Sequence, residues 1–600
     1  MLAPALTVLS LFSAVGLCNL YEDVADLPGF QYDFVIIGGG TAGNALASRL
    51  TENPNVAVLV LEAGLNPGSD PNVAVPFLSG GVSANATIYS WNYTTIPQAG
   101  ADGIAYPFSR AFMLGGCSAH NGLAYTRGAD SDWDRYATIS GDSGWSWNSV
   151  LPYFKKAEQW TAPSDNHNTA GQYTPSVHGT SGPIQVSLAG YTWSEFQGHV
   201  LQTTKELPNE FPFNQDPNSG KPLGIGYMQS TIGNGARSSS ATGYLNSTVL
   251  ARSNLHVLLH AQVSKLVNPV ASRVVPSEPT AFGGVQFRFD GTLYVANATK
   301  EIILSAGPIG TPSILMHSGV GDSAVLKPLG IPVVRDLPSV GKNSSEHPYG
   351  GLQWPVTSNQ TIEALYSSTS VMDSSMAQWT KSRTGPMVDA PPGPMLAWLR
   401  LPANSTTLQK YPDPSSGADA PHFEVLFQPS GLDIYGPGPY TPTVSLTLGL
   451  VSPASRGSVT INSADPFAAP VIDLGLFSND FDASAFAEGL QLITKIASAP
   501  NWKGYLGAPV LDISTMSLDD IIAHVRGASG PGYHFVGTAG MSPRGAQYGA
   551  VDPDLKVKGI YGLRVVDVSV LPVVPAAHTQ AAAYVVAERA ADLIKSQWNL

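Results

Sequence analysis

The sequence is poor in cysteine and in charge, and each shortage excludes a class of protein. Its 600 residues include two cysteines, Cys18 and Cys117, too few for a scaffold built on disulfides. Charged residues make up 12%, and 44 acidic residues outnumber 31 basic ones, for a net charge of −13. Nucleic acids and anionic membranes bind clustered Lys and Arg, so neither is expected as a partner.

Two sequence patterns are also missing. Beyond the N-terminus, no run approaches the ~20 apolar residues that cross a bilayer, so no transmembrane helix and no membrane partner are predicted. The G-x-S-x-G elbow of serine hydrolases does not occur in the chain. Small or neutral molecules remain as partners.

The first 18 residues are predicted to be a secretory signal peptide. The stretch MLAPALTVLSLFSAVGLCNL has an apolar segment from about Leu6 to Leu17, with small residues near its end, although it lacks a basic start. A membrane anchor is the alternative, but the segment is too short to span a bilayer. We therefore expect a secreted, extracellular protein that loses Cys18 with the signal, which leaves Cys117 as an unpaired thiol.

Secretion agrees with the N-x-S/T sequons of the chain, each of which is a weak signal alone. N-glycans are expected at sequons that begin at Asn85, Asn92, Asn246, Asn297, Asn343, Asn359 and Asn404.

Glycine, proline and apolar residues are abundant. The chain has 61 Gly, 48 Pro and 43% hydrophobic residues, which is typical of a loop-rich globular protein. At this length it exceeds one ordinary hydrophobic core, so at least two domains, or one elaborated domain, are expected.

The segment YDFVIIGGGTAGNALASRLTENPNVAVLVLEAG predicts a βαβ unit near the front of the chain. An apolar strand is expected at 33–37, a helix after the glycine turn to about Leu50, and a second apolar strand at 56–61. This order is typical of a Rossmann-like nucleotide-binding fold.

The glycine turn has the G-x-G-x-x-G spacing of dinucleotide sites. Gly38 permits the tight turn, Gly40 lets a pyrophosphate approach the backbone, and Gly43 lets the helix pack on the strand. Glu62 ends the second strand, 19 residues after Gly43, where a carboxylate accepts the ribose hydroxyls. A packing turn is the alternative for the glycines alone, but the surrounding strands and helix favour dinucleotide binding.

Glu62 does not separate FAD from NAD, since both contain an adenosine ribose. No second G-x-G-x-x-G follows a strand, so a nicotinamide cofactor has no separate predicted site. A flavin that the substrate reduces directly suits a secreted enzyme better, and FAD is the predicted cofactor.

Three later stretches resemble the glucose-methanol-choline (GMC) oxidoreductases, FAD enzymes that oxidise alcohols. They are MLGGCSAHNGLAYTRG at 113–128, GPIGTPSILMHSGVG at 307–321, and a C-terminal part with YHFVGTAGMSPRG and LPVVPAAHTQAAAYVVAERAADLI. The resemblance runs from about residue 30 to 597. Within the family, GGCSAHN followed by YTRG is most similar to the fungal pyranose dehydrogenase group, and aryl-alcohol oxidases are also similar.

The resemblance implies a role for His120, the imidazole among small residues. In the pyranose dehydrogenase group, the histidine of this motif is bonded covalently to the flavin, so His120 is expected to attach the FAD covalently, with Gly116 and Asn121 as further cofactor-binding residues of the same loop. A satisfied loop histidine is one alternative. A metal site of the form Cys-x-x-His is another, but a closed zinc site needs about four ligands, and Cys117 with His120 has no second pair nearby, so no metal is predicted.

The resemblance also places the two active-site residues at His534 and His578. Alcohol oxidation by a flavin removes a proton from O–H and a hydride from the adjacent C–H, and an imidazole with an ordinary pKa near ~6.5 can accept the proton. We predict His534 as the base and His578 as the residue that hydrogen-bonds the alcohol oxygen. The alternatives are a core histidine for His534 and a polar residue before a helix for His578.

Further cofactor contacts are expected at Val263, Asp567 and Thr579. Asp567 resembles the family residue beside the ribityl and pyrophosphate, with a solvent-exposed strand end as the alternative. An Ala-rich helix is predicted to begin near Thr579, and its N-terminus would favour the negative charge of a reduced flavin.

The chain departs from the family at two places. Ala111 and Phe112 replace a common Gly-Arg pair, so a basic contact to the cofactor is either missing or supplied by Arg110. Phe535 follows His534 where proline is usual, which puts substrate choice in doubt. His167, His178, His256, His260, His317 and His347 have no comparable context and are predicted to be structural or solvated.

The predicted fold class is α/β, α+β overall, with a Rossmann-like FAD-binding domain and a substrate domain with a large antiparallel sheet. The resemblance implies a discontinuous FAD-binding domain at 30–105, 225–330 and 537–600. The flavin-attachment loop and substrate domain take 106–224 and 331–536. Strands are expected in PHFEVLFQPSG and YTPTVSLTLGLVSP, and Tyr435 and Tyr440 could line a sugar site.

The predicted activity is that of a sugar dehydrogenase. It would oxidise ring hydroxyls (C1–C3) of aldopyranoses and pass electrons to quinones or similar acceptors instead of O2, as a monomer. An aryl-alcohol oxidase or a glucose oxidase or dehydrogenase of the same family is the nearest alternative. A hydroxynitrile lyase, which shares the fold and keeps the flavin idle, is a further one.

Overall fold

A computed structural model describes residues 19–83, 87–271, 280–390, 392–432 and 441–600. The predicted signal peptide, Cys18, Asn85, Tyr435 and Tyr440 lie outside these residues.

The first of two large sheets has nine strands and contains the predicted βαβ unit. Its neighbouring strands, in spatial order, are Leu20–Tyr21, Leu255–Leu258, Val58–Leu61, Gln31–Ile37, Thr292–Leu304, Thr280–Phe289 and Gln262–Ala271. The strand Ile560–Tyr561 pairs with Thr280–Phe289, and Leu563–Val565 pairs with Thr292–Leu304. The first five strands are parallel, and the last two join antiparallel. We call this the nucleotide sheet.

The helix of the βαβ unit, Thr41–Leu50, begins and ends where the sequence predicts. The flanking strands are observed at Gln31–Ile37 and Val58–Leu61, each displaced by two residues at one end. Parallel strands are covered on both faces, which explains why Val58–Leu61 is apolar and wholly buried. The helix packs against the C-terminal helix, Gln580–Trp598, whose first three turns are buried on every side.

The second large sheet is antiparallel, as predicted, and has six strands. Their spatial order is Gly530–Pro531, Pro348–Pro355, Thr443–Leu450, Phe423–Gln428, Met395–Leu399 and Gly224–Tyr227. We call it the substrate sheet. One face packs on the helix Asp480–Ala497, so closely that a Cβ on Gly489 would lie 2.7 Å from Leu448 Cδ2. The predicted α/β class is confirmed, with one largely parallel sheet and one antiparallel sheet.

The domain boundaries stay a prediction, but one of them falls inside an observed strand. Gly224–Tyr227 pairs with Met395–Leu399 in the substrate sheet, so residues just after 225 belong with that sheet and not with the nucleotide sheet.

The remaining elements are smaller. Other helices of at least ten residues are Asp130–Ser140, Trp147–Ala157, Ser194–Glu206, Gly307–His317, Thr369–Ser382 and Leu518–Ala528. Two three-stranded sheets contain Glu158–Trp160, Ile184–Leu188 and Gln229–Ser230, and Lys342–Ser344, Gly457–Thr460 and Val471–Asp473.

Two surface features bear on the sequence predictions. Across the described residues, no helix combines the length and apolar content that a membrane crossing requires. The six sequon asparagines within those residues, Asn92, Asn246, Asn297, Asn343, Asn359 and Asn404, are all exposed.

Candidate active site

A cavity of about 960 Å³ has walls from both large sheets, at the upper end of the usual size of ligand sites. Most of the predicted site residues line it, although they come from distant parts of the chain: Gly38, Gly40, Glu62, Gly116, His120, Asn121, Val263, His534, Asp567, His578 and Thr579.

The glycine turn closes one end of the cavity through contacts that leave no room for side chains. Gly38 has a φ of +104°, and a Cβ there would lie 2.5 Å from the carbonyl oxygen of Ser305. A Cβ on Gly43 would lie 2.0 Å from the carbonyl oxygen of Gly38. Gly43 therefore packs the helix against the strand without lining the cavity, and Gly40 precedes the first helical residue, Thr41.

Glu62 lies beside this turn as a buried acceptor. Its Oε2 accepts from the N–H of Gly39 at 2.8 Å, and its Oε1 accepts from the N–H of Gly64 at 2.7 Å. Burial raises the pKa of Glu62 to about 7, against the lowering effect of these N–H groups. The carboxylate, the glycine turn and the helix N-terminus together fit the ribose and pyrophosphate of a dinucleotide.

The loop with His120 packs directly on the glycine turn. The N–H of Gly115 donates to the carbonyl of Gly39 at 2.8 Å. Gly116 has a φ of +52°, and a Cβ there would lie 2.7 Å from the Cα of Gly40. The small residues of this motif are thus required by backbone-to-backbone contact, and His120 follows them at the end of the short 3-10 helix Gly116–Ala119.

This contact predicts that Gly116→Ala will yield protein largely free of flavin. The new methyl group would push the loop away from Gly40, in addition to about 1–2 kcal/mol of left-handed strain. Gly68→Ala is the matched control, because Gly68 has a φ of +50° with no atom within 4 Å of an added Cβ. The ratio of flavin to protein absorbance after purification measures the outcome, and a fully loaded Gly116→Ala protein would contradict it.

His120 is a buried, neutral imidazole. Burial, and then the charges of Arg237 and Arg110, lower its pKa to about 3. Its Nε2 lies 3.4 Å from Ser109 Oγ. A neutral ring nitrogen at the cavity wall is chemically suited to form a bond to a flavin carbon, although the bond itself stays a prediction.

The metal alternative gains no support from the neighbours of His120. Cys117 is a free, partly exposed thiol, and no group of three or more His, Cys, Asp or Glu side chains suited to a metal occurs within the described ranges.

Arg237 is a site residue that the sequence did not reveal. Its Nη1 donates to Asn121 Oδ1 at 2.9 Å, and Asn121 Nδ2 donates to Oε1 of Gln580, the first residue of the C-terminal helix. Arg237 is buried, its hydrogen bonds go to the backbone carbonyls of Val73 and Ser118 and to Asn121, and burial lowers its pKa to about 9. It therefore ties the His120 loop to the C-terminal helix and places positive charge near the cavity.

Asp567 is buried, which rules out a solvent-exposed strand end. Its carboxylate accepts from Gly307 N–H at 3.0 Å and from Thr311 Oγ1 at 2.7 Å, so it holds the start of the helix Gly307–His317. Burial raises the pKa of Asp567. Thr579 is the N-cap of the C-terminal helix and also lines the cavity, so the positive end of that helix faces the site as expected.

The two predicted active-site histidines meet in space. The ring centroids of His534 and His578 are 4.6 Å apart with an interplanar angle of 82°, although the residues are 44 apart in the chain. Both residues line the same cavity as His120.

His578 is held by a buried carboxylate from the substrate sheet. Its Nε2 lies 2.9 Å from Glu424 Oε1, and the hydroxyl of Tyr349 donates to Glu424 Oε2. The N–H of His578 donates to Thr126 Oγ1 at 2.8 Å. Sequence reasoning missed Glu424, although a charged residue inside the apolar strand Phe423–Gln428 was a usable signal.

His534 is held by two neighbouring residues of another segment. Oε1 of Glu346 accepts from the N–H groups of His534 and His347 at 2.7 and 2.9 Å. Nδ1 of His347 lies 3.0 Å from Nδ1 of His534. Burial, and then the charges of His578, His347 and Arg110, lower the pKa of His534 well below its ordinary value.

The structure adds a contact with the predicted base to the prediction that His347 is structural or solvated. His347 is structural in the sense of being fully buried, but it contacts the predicted base, from which 187 residues of sequence separate it. No local pattern reports such a contact.

Other predictions about single residues have clear outcomes. His178 lies between the carboxylates of Glu158 and Asp216, and His317 bonds to two backbone carbonyls, so both are structural. Phe535 is buried edge-on against Phe108, with centroids 5.9 Å apart. Arg110 lines the cavity and donates to the carbonyl of Tyr533.

Comparison with known proteins agrees with this geometry. Family profiles described as GMC oxidoreductase match residues 32–349 and 453–587. The pyranose dehydrogenase of Agaricus xanthodermus is 40% identical over 96% of this chain and 95% of its own length. Dehydrogenase eriK of Hericium erinaceus is 39% identical over 99% and 98%.

A solved structure agrees as well. A formate oxidase from Aspergillus oryzae RIB40, solved to study the effect of a mutation on FAD modification, superimposes with a TM-score of 0.85 at 29% identity, over 95% of this chain and 99% of that one. The chain belongs to the GMC oxidoreductase family, and it is an FAD-dependent oxidoreductase that acts on CH–OH donors.

Proposed function

We propose that the protein is a secreted sugar dehydrogenase that oxidises a ring hydroxyl, at C1–C3, of an aldopyranose and passes the electrons to quinones or similar acceptors instead of O2. The observation on which the chemistry rests is the perpendicular pair of His534 and His578 on the wall of the cofactor-sized cavity. The sugar substrate is inferred from the 40% identity to a pyranose dehydrogenase.

FAD would be held by residues whose arrangement already suits it. The glycine turn and Glu62 would take the adenosine and pyrophosphate, and Asp567 and the start of the C-terminal helix would lie beside the flavin end. His120 would form the covalent attachment. When bound, FAD supplies the acceptor for the hydride that leaves the substrate carbon.

His534 would remove the proton of the reacting hydroxyl. Because its pKa is lowered, the ring stays neutral at mildly acidic pH and is available as a base. His578 would hydrogen-bond the same oxygen, while Glu424 and Tyr349 keep its ring in place. Two oriented groups on one oxygen align the C–H bond for transfer.

The substrate sheet offers polar groups that suit a sugar. Tyr349, Gln428 and Thr447 line the cavity on this sheet, and Thr447 Oγ1 donates to Gln428 Oε1. Sugar hydroxyls could exchange with such bonds. The aromatic lining at Trp91, Tyr93 and Tyr533 suits an aryl alcohol, which makes aryl-alcohol oxidation the second candidate.

Anaerobic reduction of the purified protein tests the proposal. We expect glucose or another aldopyranose to bleach the oxidised flavin, and we expect aerobic turnover to be much faster with benzoquinone than with air alone. Benzyl alcohols serve as the matched panel, and bleaching by these alone would favour aryl-alcohol oxidation. A flavin that no sugar or alcohol bleaches would instead favour the lyase.

Secretion, a monomeric state and N-glycans belong to the same proposal. Recovery of the protein from the culture medium, its mass in solution, and the loss of mass on endoglycosidase treatment test the three points separately.

A further inference from the structure

The contact between His347 and His534 determines which atom of the site can accept a proton. The two Nδ1 atoms are 3.0 Å apart and the rings are nearly perpendicular, at 82°. A hydrogen bond at this distance needs one proton between the two nitrogens, so one ring donates and the other accepts. If His347 donated, the proton of a neutral His534 would lie on Nε2, and His534 could not act as the base.

The positions of the two rings decide the direction. His347 is fully buried, and burial with the nearby charge of His578 lowers its pKa to about 3, so it is neutral and has one N–H. His534 lines the cavity and His347 does not, and the nitrogen of His534 that acts as the base must hold no proton. The proton of His534 therefore lies on its other nitrogen, Nδ1, which donates to Nδ1 of His347 and leaves the proton of His347 on Nε2.

This direction leaves Nε2 of His534 without a proton. Its Nδ1–H donates to His347, and its ring lines the cavity. Within the described part of the chain, Nε2 of His534 has no hydrogen-bond partner and is not sealed from the cavity. Glu346 adds rigidity, because one carboxylate oxygen accepts from the backbone N–H groups of both histidines.

We propose that His347 is a positioning residue that fixes the tautomer of His534, holding its proton on Nδ1 so that Nε2 is the bare, proton-accepting atom at the substrate. This inference rests on the proposed role of His534 as the base. It assigns a function to the segment Ser345–Tyr349, in which Glu346 and His347 serve one histidine and Tyr349 serves the carboxylate that holds the other.

Two substitutions of His347 distinguish an effect on the tautomer of His534 from an effect on packing. His347→Leu removes the acceptor with little change in size, and we expect flavin reduction to slow about 10- to 100-fold, the scale typical of partners that orient a histidine. His347→Asn places an oxygen near the former Nδ1, and we expect it to restore most of the lost rate. Sugar affinity should change little in either variant, because His347 does not line the cavity.

The pH dependence of the flavin reduction rate distinguishes a positioning role from a general disturbance of the site. The imidazolium that forms on proton abstraction donates from Nδ1, so removing its acceptor makes His534 less basic. The fall of the reduction rate at acidic pH (the acid limb) should therefore occur at lower pH in His347→Leu than in the unaltered protein. In His347→Asn it should occur near the pH seen in the unaltered protein. The ionisable groups around His534 that also shape this limb are His347, His578, Arg110, Glu346, Tyr349 and Tyr533.

His317→Leu is the matched control, since His317 is also buried but bonds only to backbone carbonyls and one serine, away from the cavity. It should keep the rate and the profile. The positioning role is wrong if His347→Leu lowers the reduction rate by the same factor at every pH, so that the acid limb does not move. It is also wrong if His347→Asn reduces its flavin as slowly as His347→Leu.

A direct measurement does not depend on turnover. In protein labelled with ¹⁵N-histidine, NMR of the ring nitrogens should show His534 protonated at Nδ1 and His347 at Nε2, with assignments from His347→Asn and His534→Asn. A His534 protonated at Nε2 would overturn the inference even in an active enzyme. If the tautomers are as stated but no sugar or alcohol reduces the flavin, the proposed function fails and the tautomer assignment stands.

Discussion

His534→Ala will reduce its flavin about 10²- to 10⁴-fold more slowly than the unaltered protein under anaerobic conditions with saturating sugar, the range that a general base contributes. The flavin should remain bound, because the glycine turn and Glu62, which would hold its pyrophosphate and ribose, are built from other residues. Stopped-flow absorbance of the oxidised flavin gives the rate directly.

The pH dependence of this reaction has a defined sign. A group whose pKa is lowered stays deprotonated to lower pH, so His534 should remain a competent base below the ordinary histidine pKa of about 6.5. The rate in the unaltered protein is expected to be level through that pH and to fall only in more acidic solution. The acid limb should be missing from the residual rate of His534→Ala.

Two control variants make the result specific. His256→Ala removes a histidine that bonds Tyr32 on the nucleotide sheet, away from the cavity, and it should reduce at the normal rate. His578→Ala should also slow reduction, because the alcohol oxygen loses its second partner. A normal reduction rate in His534→Ala together with a large loss of rate in His578→Ala would show that His578 is the base and not His534.

His120→Ala will convert a flavin that stays with acid-precipitated protein into one that passes into the supernatant. The expected reason is the loss of the proposed covalent bond, since the groups that would hold the adenosine and pyrophosphate are other residues. The yellow colour of the pellet and supernatant after precipitation measures the outcome, and the mass of the denatured protein should fall by that of the flavin.

The matched control is Cys117→Ala, three residues earlier in the same loop. Cys117 lines the same cavity as His120, so a general disturbance of the loop, or a metal held by Cys117 and His120, would affect both variants. We expect Cys117→Ala to keep its flavin in the pellet. Release of flavin from the unaltered protein would show that the attachment does not exist.

The front of the molecule was predictable because its determinants are local. Three glycines, an apolar strand on each side and a carboxylate at the second strand end act over about 30 residues of chain, and the structure places Gly38, Gly40 and Glu62 as the spacing requires. The start of the C-terminal helix was likewise predictable from its alanines and from Thr579 as its N-cap. The strand that contains Glu424 was predictable, but the contact of its carboxylate with His578 was not.

The sequence by itself determined the nucleotide-binding turn and the small residues around His120, and its resemblance to the GMC family supplied the two predicted active-site imidazoles. Only the tertiary structure decided which groups hold those imidazoles: Glu424 reaches His578 across 154 residues, and His347 reaches His534 across 187. Propensity and periodicity act between near neighbours along the chain, whereas the tautomer of a buried ring depends on whichever acceptor the packed interior brings within 3 Å of it.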